Sequence, residues 1–149
     1  MIFFRLFILA CISISLSGCV SEEMRQAGIR DAEFQREVAN LNVNTADVGE
    51  KPTNYKELLE SSTKAMLKDP DSAKFSNFTE PKKEVMVANT DFVYGYSICF
   101  SVNAKNSYGG YVGNQLYWGF IRNGKVLRVQ NTTDAYGNMI FIGRPVTCS

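Results

Sequence analysis

The chain has 149 residues, of which 45% are hydrophobic and 21% charged; this is room and composition for one globular domain and excludes wholesale disorder. Lys and Arg total 16 against 15 for Asp and Glu, so no basic surplus points to nucleic acid. Histidine is absent, which removes the commonest general base, the commonest metal ligand and every Ser-His or Cys-His dyad.

The first element is MIFFRLFILACISISLSGC, in which Arg5 precedes an apolar run from Leu6 to Leu16. A helix over that run spans about 16 Å, half of a ~30 Å hydrocarbon core, and is too short to cross a membrane comfortably. A short positive region, a short apolar region and then small residues is the layout of an export signal. The run Leu16-Ser17-Gly18-Cys19 resembles the lipobox of bacterial lipoproteins at all four positions. That resemblance implies a diacylglycerol thioether on the Cys19 sulfur, cleavage before it and palmitate-type acylation of the new amine. Residues 1–18 are then a signal peptide; the alternative is a signal cut elsewhere or an uncleaved anchor. Two or more acyl chains hold stably where one does not, at ~0.8 kcal/mol per buried methylene. Val20 follows the cysteine where Asp would retain the protein at the inner membrane. By the same resemblance, the expected location is the outer membrane of a Gram-negative bacterium, facing the periplasm.

Residues 19–51 read as a lipidated cysteine followed by a stalk and linker. Met24, Ala27, Phe34, Val38 and Leu41 come close to heptad spacing, but Asp31 interrupts the seam and Gly28 weakens the helix. A loose helical stalk is expected, with coiled-coil oligomerisation as the alternative. NVNTADVGEKP has turn formers without periodicity and reads as a flexible tether, so the folded domain is set at 52–149.

TNYKELLESSTKAMLKDPDS predicts an amphipathic helix, with Asn54 and Glu57 as a capping box and Tyr55, Leu58, Leu59, Ser62 and Met66 on one face. Asp69-Pro70 ends it. KEVMVA and FVYGYSICFSV alternate as strands, the second with Tyr94, Tyr96, Ile98, Phe100 and Val102 on one face and Val93, Gly95, Ser97, Cys99 and Ser101 on the other. In QLYWGFIRNGKVLRVQ, Asn123-Gly124 predicts a type I′ hairpin pairing Arg122 with Lys125, Phe120 with Leu127 and Trp118 with Val129. MIFIGRPV supplies a last strand. The fold class expected is α+β: one N-terminal amphipathic helix packed on a curved antiparallel sheet of four or five strands.

Of four cysteines, Cys11 leaves with the signal and Cys19 is consumed by lipid. Cys99 and Cys148 remain, and an even pair in an exported chain reads as a disulfide that pins the C-terminus. A redox-active pair is the alternative, though such pairs favour close spacing.

Between two strong strands lies VNAKNSYGGYVGN, residues 102–114. It lacks the P-loop spacing and is followed by a strand, so a phosphate cradle is rejected. Structurally, its glycines permit positive φ and its asparagines bond their own backbone. Functionally, Lys105, Asn106, Tyr108, Tyr111 and Asn114 form a candidate recognition loop, because Tyr and Asn give amphipathic contacts at low entropic cost. LKDPDSAKF followed by ICFSVNAKNSYGGYVG resembles a group of small uncharacterised lipoproteins and secreted proteins of bacteria and their phages. The likeness covers roughly residues 55–148 and implies domain boundaries but no mechanism; Cys99-Phe100 departs from the Cys-Gly that some members carry.

No carboxylates are spaced for a metal, and Glu57, Glu60, Asp69, Asp71 and Glu80 read as solvated. A Ser107–Lys105 dyad on one flexible loop is poor geometry for a nucleophile and its base. The expected function is therefore a non-enzymatic envelope lipoprotein, without cofactor or metal. Its small disulfide-bonded domain binds an envelope protein or cell-wall component, as an inhibitor or exclusion factor in the sharper version. The rivals are a cell-wall hydrolase or esterase, and a structural linker of an envelope assembly.

Overall fold

The computed structural model describes residues 21–148; the expected export signal, the Leu-Ser-Gly-Cys run and the expected lipidation at Cys19 lie outside the described residues. Among the described residues two helices precede seven strands: α1 Glu22–Ala39, α2 Tyr55–Lys64, β1 Lys74–Ser76, β2 Lys82–Ala88, β3 Asp91–Asn103, β4 Gln115–Arg122, β5 Lys125–Asn131, β6 Met139–Phe141 and β7 Arg144–Pro145. The class is α+β as expected, with a second helix in the segment expected to be a stalk. Gly28 does not break α1, which has Glu22 and Glu23 in its first turn, where the helix dipole favours them, and buries none of its side chains. No described helix is long and apolar enough to cross a membrane.

β1 to β5 form one antiparallel sheet in which β3 is central. One side of β3 pairs with β4, and the other is shared by β2, opposite residues 91–97, and β1, opposite residues 101–103. In the gap between β1 and β2, the Thr79 amide donates to the Cys99 carbonyl at 2.9 Å and the Cys99 amide donates to Thr79 Oγ1 at 3.0 Å. A side chain thus completes the ladder where strand is missing and pairs both backbone groups of Cys99.

The strand period of two sorts β3 and β4 into opposite faces. On the first, Tyr55 and Leu59 of α2 pack on Ile98, Phe100, Val102, Tyr117 and Ile121. Leu59 sits over Gly119, where an added Cβ would lie 2.3 Å from Leu59 Cδ2. The buried stripe of α2 is Tyr55, Leu59 and Thr63, not the expected set ending in Ser62 and Met66. The helix stops at Lys64, before Met66 can join it. Thr63 is tolerated in the core because its hydroxyl donates to the Leu59 carbonyl at 2.6 Å. Nor does the expected capping box form: Asn54 precedes the helix without a side-chain cap bond.

The second face holds Cys99, Trp118, Phe120 and Met86, covered by Ile140 with Phe141, Val146 and Cys148. MIFIGRPV is therefore not a further strand of the main sheet. It folds as the separate β6–β7 hairpin, laid across the face opposite α2. Cys99 and Cys148 are bonded, with Cα atoms 5.6 Å apart. Closing that loop contributes about 4 kcal/mol in the chain-entropy model. Three polar clamps add to it. Arg128 Nη1 donates to the Ile140 carbonyl at 2.8 Å, and its Nη2 to the Val87 carbonyl at 2.6 Å. Gln130 Nε2 donates to the Gly137 and Met139 carbonyls at 2.7 and 2.9 Å. Arg144 bonds the buried carboxylate of Glu84, with Nε 2.8 Å from Oε1.

The β4–β5 hairpin turns at Asn123-Gly124, both with positive φ, and Arg122 pairs with Lys125 as expected. Its expected register then fails. A bulge after Ile121↔Val126 makes Phe120 pair with Arg128 and Trp118 with Gln130, so Leu127 and Val129 are not their partners. The extra residue turns the polar side chains of Arg128 and Gln130 toward the C-terminal hairpin, where their donors are used.

Segment 40–51 is not a free tether, and the boundary at residue 52 moves toward the N-terminus, since the compact unit begins at Val38. Val48 is buried. The Arg122 guanidinium donates to the Asp47 carbonyl at 2.7 Å and to its carboxylate at 3.0 Å, and the Glu50 amide donates to Asn123 Oδ1 at 3.2 Å. A polar segment without periodicity is held here by specific partners distant in sequence, which composition does not reveal.

Gly95 faces the Ile121 carbonyl and the Phe120 ring, where a Cβ would lie 2.6 and 2.8 Å away. Gly95→Ala should lower the unfolding free energy by about 1–3 kcal/mol, the cost of overpacking, measured by denaturant titration of Trp118 fluorescence. Asp47 is held below the usual carboxylate range by the Gly49 amide and then by Arg122. Its contribution is complete above the ordinary carboxylate pKa and is lost as pH falls through the depressed value. The Gly49 and Glu50 amide resonances should shift toward their Asp47→Asn positions only in that acidic range.

Candidate functional site

The loop joining β3 to β4 is a miniature hairpin rather than an open strap. Ala104 and Val112 bond across its base, and Lys105 pairs with Tyr111 in an antiparallel bridge. At the tip the Asn106 amide donates to the Gly110 carbonyl at 2.9 Å and the Gly109 amide to the Asn106 carbonyl at 3.0 Å. Asn106 Oδ1 accepts from the amides of Tyr108 and Gly110 at 2.9 and 3.2 Å, and Asn103 Oδ1 accepts from Gly113 at 3.1 Å. Gly109 and Gly113, with φ of 81° and 88°, make the reversals that close this circuit.

The five candidate residues therefore separate. Asn106 is spent on the loop's own backbone. Tyr108 stands at the tip, 97% exposed. Tyr111, at 45%, lies under two ammonium groups, with Lys74 Nζ 4.7 Å and Lys105 Nζ 5.6 Å from its ring centroid. Such exposed cation–π contacts contribute roughly 0.5–1 kcal/mol each. Lys105 is further fixed by its amide, which donates to Ser72 Oγ at 2.9 Å. Asn114 is exposed just ahead of β4 and joins none of these contacts. The considered Ser107–Lys105 pairing does not form: Ser107 Oγ instead accepts from Lys68 Nζ at 3.1 Å.

Lys68 belongs to the strand-free stretch after α2, and with Met66 and Leu67 it forms the far wall of a groove of about 250 Å³. The loop residues Lys105, Asn106 and Val112 form the near wall; Val102, Ala104 and Tyr117 lie between. Burial and then the Asp134 charge raise the Tyr117 pKa above that of an ordinary phenol. Sequence reading missed Met66, Lys68 and Lys74, because more than thirty residues separate the first two from the loop and only the helix-on-sheet packing brings them together.

A more open cavity of about 660 Å³ lies at the other end of β3, lined by Asn42, Asp47, Tyr94 and Arg122. Its guanidinium is already committed to Asp47 and to the Tyr94 carbonyl. Among the described residues no cluster of three or more His, Cys, Asp or Glu side chains is arranged to hold a metal.

Comparison with known proteins gives no match to a family model, to a curated protein or to a solved structure.

Asn106→Ala removes the acceptor for two tip amides. It should cost about 1 kcal/mol of stability and raise hydrogen exchange at Tyr108 and Gly110 while leaving β3 and β4 protected.

Proposed function

We propose that this chain is a lipid-anchored lipoprotein of the cell envelope whose disulfide-bonded domain binds another envelope component without catalysis, through the 103–114 loop. The observation that carries the binding role is an internally bonded hairpin holding Tyr108 at 97% exposure, at the end of a strand buried on both faces. An aromatic side chain with only two χ angles to fix, carried on a hydrogen-bonded backbone, loses little entropy on contact. The anchor is supported by the Leu16-Ser17-Gly18-Cys19 pattern, and an oxidising location agrees with the Cys99–Cys148 bond.

A catalytic reading is disfavoured at this loop by its hydrogen bonding. The amides of Asn106, Tyr108, Gly109, Gly110, Val112 and Gly113 all donate within the loop, which leaves none of them to stabilise an oxyanion. The chain joins the domain at the opposite end of the sheet, where Asp47 meets Arg122. The same guanidinium bonds the Tyr94 carbonyl, and nine residues of β3 run from there to Asn103, so about 30 Å separates that end from the loop. Tyr108 and Tyr111 therefore stand at the end of the sheet remote from the Asp47–Arg122 contact.

Intact-mass analysis of protein from its native envelope should show loss of residues 1–18 and a triacyl adduct on Cys19. Crosslinking in that envelope should capture a partner from wild type and lose it from Tyr108→Ala/Tyr111→Ala. A bare thiol at Cys19 would refute the anchor, and unchanged capture would refute the loop as the site.

A further inference from the structure

We propose that the Cys99–Cys148 bond is a thiol–disulfide exchange site, reached by a dithiol reductant through the cavity beside it, and that its opening frees residues 146–148 while the rest of the domain stays folded. The site is independent of partner binding at the 103–114 loop.

The cavity follows from how the sheet is built. On the β1/β2 side of β3, β1 covers residues 101–103 and β2 covers residues 91–97, so no strand lies opposite Ile98, Cys99 and Phe100. Only Thr79 reaches back there, to the backbone of Cys99. The gap leaves a cavity of about 320 Å³ lined by Thr79, Pro81, Lys82, Ser97 and both cysteines. That volume lies at the lower end of the ~300–1,000 Å³ of small-ligand sites and admits a small thiol. Lys82 brings a positive charge to the wall, which favours approach of a thiolate. Glu80, the carboxylate in the same wall, is engaged by the Tyr55 hydroxyl at 3.5 Å and by Lys51 at 4.0 Å.

The two sulfurs are unequal. Cys99 is 3% exposed, among Met86, Trp118 and Phe120, whereas Cys148 is half-buried beyond β7. An entering thiolate therefore attacks Cys148 Sγ, since access decides which sulfur is attacked. A bond forms between the reductant sulfur and Cys148, and the old S–S pair passes to Cys99 Sγ, which takes a proton from solvent. The reductant's second thiol, as its thiolate, then displaces the Cys148 sulfur, which is protonated in turn. The reductant leaves as its own disulfide, having given two electrons to the protein. Opening is local because other contacts hold the hairpin up to Arg144. Arg128 and Gln130 bond the carbonyls of Ile140, Gly137 and Met139, and Arg144 pairs with Glu84. Beyond Arg144 the chain is held by the disulfide, by the packing of Val146, and by the Val146 amide, which donates to the Asn138 carbonyl at 2.9 Å.

The test exposes the full-length chain, in nonionic detergent micelles, to dithiothreitol without denaturant. Alkylation by iodoacetamide is then followed by peptide mass analysis. The bond should open with the near-UV dichroism of Trp118 retained, and Cys148 should be alkylated roughly tenfold faster than Cys99 or more. Glutathione alone should give a mixed disulfide on Cys148. Hydrogen exchange at the Val146 amide should rise roughly tenfold or more on reduction, while Leu59 and Phe100 keep their protection. Cys148→Ser, which cannot form the bond, should exchange at Val146 like reduced wild type and should not respond to dithiothreitol. A bond that opens only in denaturant, a glutathione adduct on Cys99 or equal alkylation of the two cysteines would overturn the inference. So would loss of the Trp118 signal on reduction, unchanged exchange at Val146, or unfolding of Cys148→Ser.

Discussion

A long strand whose successive side chains are buried in opposite directions demands cover on both sides, and β3 imposes that demand on the rest of the domain. Ile98, Phe100 and Val102 need an apolar layer on one face, and Cys99 needs one on the other. α2 supplies the first with Tyr55, Leu59 and the partly buried Leu58, aided by Gly119, which lets Leu59 approach the sheet backbone. The second is harder to supply. The C-terminal hairpin is short and offers little apolar area by itself, so it is tied down by a covalent bond and by donors aimed at its carbonyls. Burial alone contributes about 1.5–3 kcal/mol for each large side chain, and here Trp118 and Phe120 gain it only while the hairpin stays in place.

The polar groups in this second layer are specific rather than merely tolerated. Arg128 and Gln130 each donate twice, and Glu84, nearly inaccessible to solvent, meets Arg144. Buried charge is costly unless its partners are present, so these contacts penalise any other placement of the hairpin more than they stabilise this one. The bulge beside Ile121 is what makes the arrangement possible. It rotates the second half of β5 by one residue and brings polar side chains where continued alternation would have placed apolar ones.

Both sheet ends inherit rigidity from this construction but are used differently. At one end the N-terminal segment is strapped to Arg122 and Asn123. At the other, a hairpin closed by its own asparagines lifts tyrosines and lysines into solvent. The first end joins the domain to whatever precedes it. The second has exposed aromatic rings, ammonium groups that form no ion pair among the described residues, and a small apolar floor. Its exposed surface is amphipathic and cationic, and six of its backbone amides are bonded within the loop.

Local chemistry determined a good deal from the sequence alone. Strand alternation in β2 and β3, the Asn123-Gly124 turn, an apolar helix stripe from Tyr55 and the pairing of the two domain cysteines all depend on near neighbours or on elimination. Asn106 reads as either a recognition residue or a turn former, and the turn former prevails once its Oδ1 meets two amides. Tertiary structure alone decided which face each layer covers, because a strand buried on both sides has no preferred side in its own pattern. It also decided the register of β5, since a bulge leaves no mark in the residues that form it, and the docking of residues 40–51, whose partners lie over seventy positions away. The groove belongs to the same class: Lys68 and Lys105 become neighbours only because a helix end and a loop tip meet above one strand. Contacts set by the turn or the period are written locally; contacts set by packing exist only after the layers have closed.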